Sequence, residues 1–205
     1  MYALVENNSI TKHFFNLEGF TIGDLQYPKD IFTKWSVEEK KAIGIYEIVF
    51  DKSNFKNENY YINTVPTFTF ADGTVTASYG TATAKAYVDI TWSQDDEDAG
   101  DLPSDKSVGD VKTEGLKTTL IRTLKQQVAN ELARTDWYIT RNTEKSIAIP
   151  SAISTHRDAV RTKQAEMETA ITNASNTPAI ETLYTYTTTD GVTSRPIGEL
   201  PILEI

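Results

Sequence analysis

The chain has 205 residues, of which 39% are hydrophobic, and it carries a formal net charge of −9 at pH 7. This acidity disfavours nucleic acid and anionic membranes as partners, because both recruit clusters of Lys and Arg. The absence of cysteine excludes disulfides and thiolate-bound zinc or iron–sulfur centres.

The start of the chain shows no targeting pattern. Residues 1–15 lack the basic stretch followed by an apolar run that marks a signal peptide. Every apolar run is also far shorter than the roughly 20 residues that a transmembrane helix needs. We therefore expect a chain that is made in the cytoplasm and does not enter a membrane.

Residues 1–92 predict an N-terminal antiparallel β-rich domain. Tyr2–Glu6 is a short alternating run, and residues 67–78 read TFTFADGTVTAS. In that stretch, apolar residues alternate with threonines around Asp72-Gly73, the dipeptide that a two-residue hairpin turn prefers. We expect a β-hairpin with its apolar side chains on one face and its threonines on the other.

One short helix interrupts the predicted strands. Ser36 followed by Glu39 is a capping box, which favours a helix start at this point. Gly44 predicts the end of that helix, and the run IYEIVF over residues 45–50 predicts the next strand. A last strand of this domain is expected over residues 85–92, KAYVDITW.

The composition changes after Trp92. Residues 93–110, SQDDEDAGDLPSDKSVGD, are acidic and contain too little apolar surface to fold alone, so we expect a linker or an exposed loop. The same run could hold a hard cation. It lacks the alternating ligands, central Gly and terminal Glu of an EF-hand, however, so a solvated acidic linker is expected.

Residues 111–176 predict two helices packed as a hairpin. The first has apolar residues at the spacing of an amphipathic helix, at Leu116, Leu120, Ile121, Leu124, Val128 and Leu132. WYIT at 137–140 is expected to be extended, and Pro150 to precede a second helix capped by Ser151. The second helix has an apolar side at Ile153, His156, Val160, Met167 and Ile171. Two helices bury little surface alone, so they need the β-rich domain, a second copy or another protein.

Residues 177–205 predict a C-terminal β tail with a hairpin around Asp190-Gly191. The fold class expected from the whole sequence is therefore α+β. It consists of an N-terminal antiparallel β-rich domain followed by a helical hairpin and a short C-terminal β tail.

No residue pattern indicates catalysis, a cofactor or a metal. The two histidines, His13 and His156, have no neighbouring histidine or carboxylate at metal-ligand spacing, and His156 is expected to pack on the apolar side of its helix. The sequence lacks nucleophile-elbow, zinc-protease and P-loop motifs. We expect no enzyme, although a carboxylate pair for glycoside chemistry has no fixed spacing and stays open.

Trp137 lies at the joint between the two predicted helices and has two candidate roles. In the first, which is favoured, it fills the space between the helices as a core residue. In the second it anchors a partner, since Trp and Tyr are typical hot spots of protein interfaces.

The segment DWYITRNTEKSIAIPSAISTHRDAVR resembles the carboxy-terminal signature of tail fibre assembly proteins of tailed bacteriophages. The matching residues are Asp136, Trp137, Arg141, Pro150, Arg157 and Arg161. A second segment, YPKDIFTKWSVEEKKAIGIYEIVF, is similar to a block of phage tail-associated proteins through Pro28, Trp35, Ser36, Glu38, Glu39, Gly44 and Ile45. The hairpin stretch resembles the strand pair that follows that block.

This resemblance implies a non-enzymatic bacteriophage tail protein, a structural component of the virion at the tail fibre or baseplate periphery that binds other tail proteins. The alternative is a transient tail fibre assembly chaperone that is not retained in the virion. In either case, the resemblance implies that Trp137 fills the joint between the helices and that Arg141 pairs with a helix-end carboxylate. The partner-binding residues that it suggests are Trp35, Trp137, Arg141, Arg157 and Arg161.

Other tail proteins are therefore the expected partners, with copies of the chain itself as a further candidate. A glycan hydrolase and a strand-rich receptor-binding module are the remaining alternatives. The missing catalytic motifs disfavour the hydrolase, and the threonine face of the predicted hairpin is the only feature that suggests a receptor-binding surface.

Overall fold

A computed structural model of the protein describes residues 1–203. The chain forms two compact units, Met1–Thr83 and a second unit that begins at Ala84. The first unit consists mainly of β-strands, whereas the second contains the long helices and a short C-terminal β-hairpin. The expected α+β class is therefore confirmed.

The first unit is built around a five-stranded sheet. The strands within residues 1–84 are β1 (Tyr2–Glu6), β2 (Ser9–Phe14), β3 (Phe20–Ile22), β4 (Leu25–Tyr27), β5 (Ile45–Asp51), β6 (Tyr61–Ile62), β7 (Thr67–Ala71), β8 (Thr74–Ser78) and β9 (Thr83–Ala84). Five of them form the sheet in the order β2-β1-β5-β8-β7, while β3 pairs with β4 and β6 pairs with β9. Two short helices, α1 (Ile31–Lys34) and α2 (Val37–Ala42), precede β5.

One strand pair of this sheet is parallel. β1 pairs antiparallel with β2 and with β5, and β7 pairs antiparallel with β8. β5 and β8 run in the same direction, in a register that places Ile48 opposite Val75. The sheet is therefore mixed, not antiparallel throughout. The alternation of side chains predicts a strand and its two faces but not the direction of its neighbour, so the sequence could not show this pair.

The β7–β8 hairpin forms as predicted. Asp72 and Gly73 have positive φ values of 49° and 69°, as a type I′ turn requires. Val75 and Ala77 are 0% exposed, whereas the threonines of both strands lie on the more exposed face. The apolar face of the hairpin thus supplies part of the core under the sheet.

Helix α2 begins and ends where predicted. Ser36 Oγ accepts the backbone N–H of Glu39 at 3.1 Å, and the Glu39 carboxylate accepts the backbone N–H of Ser36 at 2.8 Å, so both halves of the capping box form. Gly44 follows with a φ of 81°. A Cβ at this position would lie 2.5 Å from the Val5 carbonyl oxygen, so glycine is required where the chain turns into β5.

The second unit is formed by α3 (Gln94–Asp98), α4 (Leu116–Ala133), α5 (Asp136–Lys145), α6 (Ser151–Asn173) and α7 (Thr177–Tyr184). Two short strand pairs accompany them, β10 (Ile90–Thr91) with β11 (Val111–Thr113), and β12 (Thr187–Thr189) with β13 (Val192–Ser194). Helices α4 and α6 pack through a core of Leu124, Val128, Val160, Met167, Ile171 and Ile197. The predicted apolar stripes of the two helices therefore meet, and the hairpin expected around Asp190-Gly191 is present.

Residues 85–92 form less strand than expected, because their backbone carbonyls accept hydrogen bonds from the first N–H groups of α4. The Leu116 N–H donates to the Ala86 carbonyl at 2.9 Å, which satisfies one of the helix-start donors that have no partner inside the helix. A Cβ on Gly115 would overlap the Val88 carbonyl group, so this close approach requires glycine. Within the segment, only Ile90–Thr91 is strand.

Backbone hydrogen bonds connect the two ends of the acidic segment 93–110. The Trp92 N–H donates to the Asp110 carbonyl at 2.9 Å. Ser93 caps α3, and Asp96 forms an ion pair with Lys112 at 2.5 Å. The linker role of this segment stays a prediction, as do the domain boundaries expected at 1–92, 93–110, 111–176 and 177–205.

Replacing Lys112 with glutamine is expected to raise the pKa of Asp96. The hydrogen bond from Lys112 is the largest of the influences that lower this pKa from 3.8 to about 2, followed by hydrogen bonds from Ser93. The lowered pKa stabilises the folded chain above pH 3.8, and this stabilisation is lost as the pH falls toward 2. Carboxyl ¹³C NMR titration of the wild type, Lys112→Gln and the control Lys106→Gln measures the pKa of Asp96 in each protein. An Asp96 midpoint that Lys112→Gln leaves unchanged would show that the ion pair does not form.

Candidate partner-binding site

The segment 137–140 is helical, and the prediction of an extended segment is wrong. It forms the first turns of α5, where the hydroxyls of Thr140 and Thr143 donate to carbonyls one turn earlier. Aromatic and β-branched residues favour strands, but a tertiary contact at the start of the helix overrides that preference. The predicted cap of α6 is also wrong, since Pro150 takes the N-cap position and no side chain caps the helix.

That tertiary contact is made by Arg157, which projects from α6 and is 8% exposed. Its Nη1 donates to the Leu132 carbonyl at 2.8 Å, to Thr135 Oγ1 at 2.7 Å and to Asp136 Oδ1 at 2.9 Å. The guanidinium therefore lies at the C-terminal end of α4, where a cation is favourable. It ties the end of α4, the start of α5 and the middle of α6 to one another.

A second polar contact lies one residue earlier on α6. His156 is 8% exposed, and its Nε2 lies 3.0 Å from Glu131 Oε1. Glu131 also accepts a hydrogen bond from Arg134 at 3.0 Å. Partial desolvation raises the pKa of Glu131, but the hydrogen bonds and charges of Arg134 and His156 outweigh it, so the pKa lies below its ordinary value. His156 thus packs against α4 with a partner, as expected.

Trp137 is exposed beside this joint. It is 51% exposed, so the favoured interpretation of Trp137 as a filler between the helices is wrong. Its ring centroid lies 3.7 Å from that of Tyr138. The guanidinium of Arg141 lies 4.7 Å from the Trp137 ring centre and 5.3 Å from that of Tyr138. The α5 surface therefore presents two aromatic rings with a cation over them.

Arg141 does not have the role that the resemblance implied. Within residues 1–203 the structure gives it no carboxylate partner, and its buried Nε has no hydrogen-bond acceptor. Arg157 is the residue that pairs with the helix-end carboxylate, Asp136. An arginine does pair with a helix-end carboxylate at this joint, but that arginine is Arg157 and not Arg141.

A groove of about 410 Å³ lies beside the exposed aromatic rings. Its lining residues come from the α4–α5 junction, the start of α6 and the C-terminal segment, and they are Arg134, Thr135, Trp137, Tyr138, Pro150, Ala152, Ile153 and Leu203. Most of these side chains are apolar. The groove is therefore a concave apolar surface with an arginine in its wall.

The other two predicted partner-binding residues lie elsewhere. Arg161 is one turn beyond Arg157 on α6, where its side chain is 52% exposed and pairs with Asp158. Trp35 belongs to the first unit, where it is half-buried against the aromatic core and meets Tyr27 edge-on at 6.1 Å. Of the five suggested residues, Trp137, Arg141 and Arg157 therefore meet at one joint, and Arg161 and Trp35 are not part of it.

Three residues of the joint were missed. Thr135 accepts a hydrogen bond from the Arg157 guanidinium, the Tyr138 ring lies against the Trp137 ring, and Leu203 lines the groove. The adjacency of Tyr138 to Trp137 and its i, i+3 spacing from Arg141 would have indicated the aromatic surface if α5 had been predicted as a helix. Nothing in the sequence indicates that residue 203 returns to this joint.

Comparison of the chain with family models, curated proteins and solved structures finds no match. The resemblance to phage tail proteins therefore rests on the residues quoted for it. Across residues 1–203, no helix is long and apolar enough to cross a membrane. The same residues contain no group of three or more His, Asp or Glu side chains placed to hold a metal ion.

Proposed function

We propose that this chain is a non-enzymatic bacteriophage tail protein at the tail fibre or baseplate periphery. In this role it binds another tail protein through the α5 surface at the joint with α6. The proposal combines the resemblance in the sequence with the arrangement of the same residues in space. Asp136 and Arg157 fix the joint, and Trp137 and Arg141 stand on its surface.

The single observation that supports this function best is the exposure of Trp137. A large aromatic ring that is half exposed next to an apolar groove is costly to leave in water, and such surfaces mark binding sites. Because α5 is held by the buried Arg157, the ring is presented on a rigid element, which lowers the entropy cost of binding. An exposed aromatic surface beside an apolar groove suits binding, and binding is the activity that we propose.

Quantitative mass spectrometry of purified phage particles tests this function. A virion component is expected at a constant copy number per particle. Presence in infected-cell lysate together with absence from particles would identify the chain as a transient assembly chaperone instead. Absence of any association with tail proteins in both samples would contradict a tail function.

Trp137→Ala is expected to reduce incorporation of the chain into particles strongly. The free energy of unfolding should change by about 1 kcal/mol or less, because the ring is exposed and its main contacts are those with Tyr138 and Arg141. Tyr186→Ala is the matched control, because Tyr186 is an aromatic residue with similar exposure, 54%. Equal incorporation of the two variants would show that the α5 surface is not the binding surface.

A further inference from the structure

We propose that the groove beside Trp137 binds an acidic segment of a neighbouring tail protein that carries at least one apolar anchor residue. This inference rests on the proposed function, since it takes the occupant from the same tail. It adds the chemistry of the partner and the residues that recognise it.

The groove itself indicates the apolar anchor. Trp137, Tyr138 and Ile153 line it together with Pro150 and Leu203, and its volume of about 410 Å³ is within the range of concave ligand sites. That space suits a few apolar side chains rather than a whole helix. Burial of Trp137 by such an anchor would remove a half-exposed indole from water, which is the main favourable contribution at interface hot spots.

The charge beside the two aromatic rings indicates the acidic flank. Arg141 lies over both aromatic rings, and among the described residues it has no carboxylate acceptor. Arg157 nearby has three acceptors, and Arg134 has Glu131. Within residues 1–203, Arg141 is thus the arginine of this joint that lacks a carboxylate partner, and we assign its charge to the acidic flank of the bound segment. A partner carboxylate would pair with the guanidinium charge, and charge-assisted bonds of this kind are stronger than neutral ones.

The overall charge argues for another protein over a second copy of this chain. With a formal net charge of −9, two copies repel one another at long range, which disfavours self-association. A short acidic segment of a different protein carries far less total charge. Its carboxylates can approach the Arg141 side of the groove with a smaller long-range penalty.

Three fluorescent peptides of 12 residues test the inference on the full chain. They share the same Leu and Trp anchors, and their intervening positions are Glu and Asp in the first, Ser in the second and Lys in the third. The acidic peptide is expected to bind at least about tenfold more tightly than the lysine peptide by fluorescence anisotropy, because one charge-assisted contact contributes on that order.

Variants then locate the site. Arg141→Gln is expected to weaken the acidic peptide about five- to tenfold and to abolish its advantage over the serine peptide. Trp137→Ala should weaken both peptides about tenfold or more. Arg122→Gln is the control, because Arg122 is an exposed arginine on α4 that pairs with Glu114 and does not line this groove. In NMR spectra the acidic peptide should shift the indole N–H signal of Trp137, assigned from Trp137→Phe, and leave those of Trp35 and Trp92 in place.

Failure of the acidic peptide to bind, equal affinity for all three peptides, or no effect of Arg141→Gln would overturn the inference. Concentration-dependent dimerisation in sedimentation experiments that Trp137→Ala abolishes would also overturn it and assign the groove to a second copy. These outcomes are distinct from failure of the proposed function. A chain that is present in particles but does not select the acidic peptide retains its tail function and loses only this groove assignment.

Discussion

Arg157→Gln is expected to destabilise the helical unit by about 2–4 kcal/mol. The Arg157 side chain is 9% exposed, and it donates to Leu132, Thr135 and Asp136. Glutamine is shorter and uncharged, so the hydroxyl oxygen of Thr135, a residue that is 2% exposed, would lose its donor. The Leu132 carbonyl would lose the Arg157 donor but keep the N–H and hydroxyl of Thr135. Buried acceptors without a donor are costly, and the loss of a cation removes its favourable interaction with the end of α4.

Urea unfolding followed by circular dichroism at 222 nm measures this effect, since the long helices of the second unit dominate that signal. Arg161→Gln is the matched control, one helical turn away on α6. Its side chain is 52% exposed and pairs with an exposed Asp158, so the change should be about 0.5 kcal/mol or less. Similar losses in the two variants would mean that Arg157 is not the residue that fixes the joint.

Ile45→Ala is expected to destabilise the first unit by about 2–5 kcal/mol. Ile45 is 1% exposed and packs in a core with Leu4, Phe14, Phe20, Ile31 and Phe32. Truncation to alanine removes buried methyl groups and leaves a cavity that these aromatic side chains can fill only in part. The loss should be local to the sheet, because this core lies within the first unit.

Val49→Ala is the matched control on the same strand. Val49 is 53% exposed, so its truncation should cost about 0.5 kcal/mol. Hydrogen exchange of the β5 amides measures both variants without assuming that the two units unfold together. Equal acceleration of exchange in the two variants would show that Ile45 is not the buried residue and Val49 not the exposed one.

Local patterns in the sequence predicted several elements correctly. Asp72-Gly73 predicted the β7–β8 turn, Ser36 and Glu39 predicted the start of α2, and the apolar stripe predicted the helix α4. In each case the residues that determine the element lie within it or next to it in the sequence. The preferred turn dihedrals, the capping hydrogen bonds and the spacing of apolar side chains are all local properties. The helical region was expected from residue 111, but Val111–Thr113 is a strand and α4 begins at Leu116.

The same local patterns could not predict contacts between residues that lie far apart in the sequence. The helix of residues 136–145 depends on Arg157, which lies 21 residues beyond Asp136, and the parallel pairing of β5 with β8 depends on how the chain crosses the sheet. The C-terminal segment also makes distant contacts, since Ile197 is buried against α4 and α6 and Leu203 lines the groove. Trp137, Arg141 and Arg157 lie at one joint, but Arg157 and not Arg141 pairs with Asp136. Sequence order does not show which side chain points inward.

Site-specific photo-crosslinking in infected cells is the most direct test of the α5 surface as a binding site for a tail protein. A photoreactive phenylalanine at Tyr138 lies in the wall of the groove, and the same residue at Thr123 on the exposed side of α4 is the control. The expected result is one main crosslinked product at position 138, containing a tail protein, that is weak or absent at position 123 and lost when Trp137→Ala is added. Equal crosslinking at both positions, or a product that contains no tail protein, would contradict binding through this joint.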